Sequence, residues 1–66
     1  MSETPLAVAI RHVAEAEQRR DQQIALVAEL ADRGEDRAAA EDMLREIKQT
    51  LRLARAQQAL LRVLGD

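Results

Sequence analysis

Five cations of this chain, Arg45, Lys48, Arg52, Arg55 and Arg62, follow one another at intervals of three, four, three and seven residues. On a helix that spacing gathers them along one flank, and no acidic residue lies between 47 and 64 to neutralise them. Such a row could contact the phosphates of RNA or DNA. Specific RNA recognition usually adds aromatic stacking, and the chain has no Phe, Tyr or Trp. The same row also suits the negative end of a helix dipole and ion pairs with Glu15, Glu29 or a second subunit.

A second grouping is polar. "EQRRDQQ", residues 17 to 23, interrupts two stretches that repeat apolar residues at helical spacing. Glu17, Arg20 and Gln23 stand at positions where the flanking turns carry apolar side chains. They are therefore candidates for a polar layer across a helical bundle, completed by Thr50 and by symmetry-related copies. Buried ionic groups of this kind specify register or subunit number when they are paired. The competing reading is a solvated middle from which long side chains reach water.

The third grouping is His12 with Glu15, which could offer two metal ligands from one helix face. Di-metal bundles use several inward glutamates and Glu-x-x-His in the forward order, whereas this chain has His first and no matching set. A solvent-facing or interface histidine is the expectation, with no metal or other cofactor. Nucleophile and base pairs, glycine-rich phosphate loops and Cys-His sets are missing, so the sequence points away from an enzyme.

The elements that carry these groups are two helices. Thr4 before Pro5 suits an N-cap with proline at the first helical position. "ADRGED" offers Gly34 as a left-handed residue closing one helix and Asp36 as the cap of the next, and Gly65 closes the second. The expected organisation is a single domain over residues 1 to 66, with a helix from 5 to 33, a turn from 34 to 36 and a helix from 37 to 64. So short a turn makes an antiparallel αα-hairpin, which places Arg20 opposite Lys48, Gln49 and Thr50.

In the first helix a stripe runs through Leu6, Ile10, Val13, Glu17, Arg20, Ile24, Val27 and Ala31, widened by Ala9, Ala16, Gln23 and Leu30. In the second it runs through Ala40, Leu44, Ile47, Leu51, Ala54, Gln58 and Leu61, with Met43, Thr50, Gln57 and Leu64 beside it. Heptad spacing through both segments predicts coiled-coil-like packing. A further row, Leu53, Ala56, Leu60 and Val63, makes the end of the second helix apolar on more than one face. A lone hairpin cannot cover that row, so Leu53, Leu60, Val63 and Leu64 join the stripe residues as an expected subunit interface.

A chain of 66 residues without cysteine has few other sources of stability, because a compact globule of this size roughly breaks even. The expected assembly is all-α: a homodimeric four-helix bundle or a coiled-coil-like oligomer, with docking to another protein as a further use of the apolar surface. The net charge of −2 carries no excess suited to nucleic acid, no run approaches the length of a membrane span, and "MSETP" does not resemble a signal peptide. A cytoplasmic interaction module is the function expected, with an RNA- or DNA-binding regulator as the alternative.

The pattern of "HVAEAE" at 12 to 17, Gln23, "VAEL" at 27 to 30, "GED" at 34 to 36, Met43-Leu44, Leu51 and Leu53 resembles a group of short uncharacterised bacterial helical-hairpin proteins. The resemblance runs over about two thirds of the chain and implies a hairpin with a glycine turn, without an activity. Arg20 departs from it, standing where those proteins often carry an apolar residue. At the level of fold alone, a basic flank on a hairpin also resembles the dimeric four-helix bundle that binds paired RNA loops in plasmid copy-number control.

Overall fold

A computed structural model describes residues 2 to 65 as two helices packed against each other, α1 (Pro5–Glu29) and α2 (Gly34–Val63), with no strand among the described residues. The first helix starts where its sequence dictates. The Thr4 hydroxyl accepts the Ala7 amide at 3.0 Å, and Pro5 occupies the first turn, where its missing N–H costs nothing.

The turn comes earlier than the glycine suggests. Leu30 caps α1, donating its amide to the Leu26 and Val27 carbonyls, and residues 30 to 33 reverse the chain. Gly34 is the first residue of α2, and the only glycine at positive φ is Gly65, at 72°. Asp36 accordingly lies inside the first turn of α2 and is not its cap. Two causes are visible: the seam positions of the first segment run out at the cap residue Leu30, and Glu35 and Asp36 favour the positive end of a helix that begins just before them. Arg37 secures the reversal, donating from Nη1 to the Ala31 carbonyl at 3.3 Å and from Nε to Glu41 at 2.7 Å. At the far end Gly65 takes the left-handed conformation expected of it and donates its amide to the Arg62 carbonyl at 3.2 Å.

The seam between the helices has a strict alternation of three and four. On α1 the buried and half-buried positions include Leu6, Ala9, Val13, Ala16, Arg20, Gln23, Val27 and Leu30, with Ala7, Val8 and Glu17 half-buried beside them; on α2 they include Ala40, Leu44, Ile47, Leu51, Ala54, Gln58 and Leu61. The α2 stripe is the one the sequence predicts. The α1 stripe is rotated: the alanines that only widened it form its centre, while Ile10 and Ile24 stand outside at 44% and 46% exposure. Small residues at the centre let the backbones approach closely, and this outweighs the larger side chains just off the seam.

Only Ala9, Ala16, Ala40 and Leu51 are buried among the described residues. The molecule is a flat layer of 48 × 21 × 12 Å, no thicker than a single helix with its side chains, which is roughly 10–12 Å across. Its radius of gyration of 15.1 Å exceeds the roughly 11 Å of a compact chain this long. Its 5110 Å² of accessible surface likewise exceeds the roughly 4,200 Å² of a compact monomer of this mass.

Candidate functional site: the two broad faces of the hairpin

A layer one helix thick has two broad faces, and the seam divides the side chains between them. The first face carries a groove in three connected stretches. One is lined by Leu26, Leu30, Ala39 and Met43, the next by Ala16, Arg19, Met43 and Thr50, and the last by His12, Arg19, Thr50, Leu53 and Gln57. Leu60 and Leu64 continue it by heptad spacing from Leu53 and Gln57. Leu53, Leu60 and Leu64 are 67%, 58% and 69% exposed and Met43 52%, so this face presents large apolar side chains to solvent. Val63, at 83%, lies on the outer edge of α2 beside them.

The opposite face carries charge. Arg20, Lys48, Arg52 and Arg55 surround a cleft floored by Leu51. Glu17 crosses from α1 to accept Arg55 Nη2 at 3.1 Å, and Asp21 accepts Arg20 Nε at 3.1 Å. Arg45 pairs with Asp42 on its own helix. Lys48, Arg52 and Arg62 have no ion pair among the described residues, so the α2 flank keeps a net positive charge. Heptad position puts Ile10 and Ile24 on the α1 half of this face, near Glu17 and away from the leucines.

Sequence reasoning grouped Glu17, Arg20, Gln23 and Thr50 as one layer; within a hairpin they are dispersed. Thr50 is exposed on the groove face. Glu17 and Arg20 lie toward the basic face, with 43% and 28% of their side chains accessible. Gln23 bridges the helices through the seam, donating from Nε2 to the Ala40 carbonyl at 2.9 Å. A carbonyl oxygen has two lone pairs, so this bond adds to the helical one. No buried side-chain polar atom among the described residues lacks a partner.

His12 and Glu15 do share a groove lining, together with the cation Arg19. Among the described residues no group of three or more His, Cys, Asp or Glu could hold a metal ion. Near the N-terminus Glu3 pairs with Arg11, and that hydrogen bond raises the Arg11 pKa above its ordinary value. No helix among the described residues is long and apolar enough to cross a membrane.

The signal that sequence reasoning missed is the separation of the two faces. Residues 53, 60 and 64 fall on one side of the α2 stripe and 48, 55 and 62 on the other, a division that heptad numbering gives once the seam phase is known. Comparison with known proteins finds no family, no curated protein and no solved structure that the chain matches.

Proposed function

We propose that the chain is a self-associating, non-enzymatic interaction module whose hairpins pair into a homodimeric four-helix bundle. The observation that carries this reading is the ratio of buried to exposed apolar surface. Four buried residues, three of them alanine, accompany eight large apolar side chains that are at least 40% exposed. The accessible area exceeds that of a compact monomer by roughly 900 Å², close to the roughly 800 Å² that each partner contributes to a standard interface. Pairing adds the second layer that a stable helical core needs. Under this reading the module acts in the cytoplasm, belongs with the short bacterial hairpins it resembles, and can present its remaining apolar surface to another protein.

Light scattering coupled to size exclusion at micromolar concentration tests it. The expected mass is twice 7.4 kDa; a mass of 7.4 kDa for a folded chain contradicts the reading.

The cleft bounded by Arg20, Lys48, Arg52 and Arg55 favours a second reading, in which the basic face binds the phosphates of RNA or DNA. Binding would then weaken steeply with salt and be lost in Arg52→Glu. Titration of structured RNA and duplex DNA at low and moderate salt decides it, and absence of salt-sensitive binding at low salt eliminates this reading.

A further inference from the structure

We infer that two copies pair through their groove faces end over end, the turn of one hairpin lying against the open end of the other. The inference rests on the self-association proposed above and names the face, the occupant and the orientation. The occupant is a second copy of this chain. The face is the one bearing Met43, Leu53, Leu60 and Leu64, because it concentrates the exposed large apolar groups, whereas the opposite face would bring two sets of unpaired cations together.

The orientation follows from where the charges sit. Residues 29 to 46, around the turn and the start of α2, carry seven acidic and three basic groups, a net charge of −4. Residues 47 to 64, the rest of α2, carry four basic groups and no acid, a net charge of +4. The α1 residues from 5 to 28 balance, with three of each sign. The molecule is therefore polarised along its 48 Å length, with a neutral helix running beside the gradient. Copies paired in the same direction would set the two acidic ends side by side and the two basic ends likewise. Inversion sets each acidic half over a basic one, and complementary potentials of this kind select orientation.

The apolar groups follow the same inversion. With α2 lying antiparallel on the α2 of a second copy, Leu53 and Leu60 of one meet the half that carries Met43 and Ala39 in the other. The leucines then meet a flexible methionine, which adapts to the space left to it, and a small alanine, a combination that can fill a packed layer. Two-fold symmetry repeats each contact, so the end leucines of both copies are covered.

The chain has no cysteine, so single labels are unambiguous. Spin labels on Gln49→Cys, near the middle of α2, and on Val63→Cys, at its outer edge, report the orientation without occupying the groove. End-over-end pairing predicts a short distance between the two copies of label 49, under about 25 Å. It predicts about 40 Å between the two copies of label 63, since each lies some 14 residues from the middle at 1.5 Å per residue. Equal distances at the two positions overturn the orientation. No dipolar coupling at either position, with a monomer mass on sizing, overturns self-association itself. The face is tested separately: Leu53→Lys should raise the dissociation constant at least tenfold and Ile24→Lys change it less than threefold, and the reverse pattern overturns the choice of face.

Discussion

The two faces of this hairpin share one seam and the same helices, yet one presents leucines and the other cations. The α2 helix makes the contrast within a single element: Leu53, Leu60 and Leu64 stand on one side of its stripe, Lys48, Arg55 and Arg62 on the other. Scattered exposed apolar residues are ordinary on any protein, whereas a contiguous row is a surface meant to be covered. The charged face has the opposite property. Its long side chains keep their heads in water and need no partner to be stable. Under the proposed function the first face builds the assembly and the second keeps it soluble and limits its growth to a pair.

Substitutions should therefore have unequal consequences across the seam. The largest effect is expected from Leu53→Asp combined with Leu60→Asp. Each buried leucine contributes roughly 1.5–3 kcal/mol and each appears twice in a symmetric pair, so association should weaken by at least a hundredfold and the helical signal should collapse with it. Sedimentation velocity with circular dichroism measures both. Retention of mass and helicity would show that this face is not the interface.

Leu51→Ala comes next. Leu51 is 3% exposed and is the largest side chain in the buried set, so its truncation should cost about 2–5 kcal/mol per chain, read from thermal or urea unfolding. Removing the bridge at the seam should matter less: Gln23→Ala gives up one hydrogen bond to the Ala40 carbonyl, worth about 0.5–1.5 kcal/mol. Arg20→Leu places an apolar group at a seam position where, among the described residues, only the neighbouring Asp21 pairs the cation. It should leave stability unchanged or raise it by about 1 kcal/mol. A loss larger than that would mean the arginine is held by partners in an assembly, as a polar layer between copies requires. The smallest effects belong to the basic face. Arg52→Ala should alter stability by less than about 0.5 kcal/mol, and Glu17→Gln, which breaks an exposed pair with Arg55, by less than about 1 kcal/mol.

The legible parts of this fold were those with one physical solution. Thr4 and Pro5 have a single use at a helix start, and α2 offers a single four-three run from Ala40 to Leu61, so both could be read directly. The phase of α1 could not. Apolar residues stand side by side at Ala9 and Ile10, and again at Leu30 and Ala31, so two stripes one residue apart fit almost equally well. The burial of Ala9 and Ala16 decides between them, and that depends on the partner helix. Gly34 was ambiguous for a related reason, since glycine tolerates both the left-handed and the helical conformation. The acidic pair that follows it and the end of the seam at Leu30 settle the matter. Within one hairpin the residues grouped as a polar layer are dispersed because Thr50 falls on the groove side of the seam, a consequence of the same phase.

If the hairpin gains much of its stability from a second copy, thermal unfolding must depend on protein concentration. When folding and pairing are linked, the melting temperature rises with protein concentration by mass action. Melts followed by circular dichroism from low micromolar to near millimolar chain should show a midpoint that climbs steadily across the series. A sharp transition whose midpoint stays fixed over that range would mean that the flat two-helix layer is stable alone and does not draw its stability from pairing.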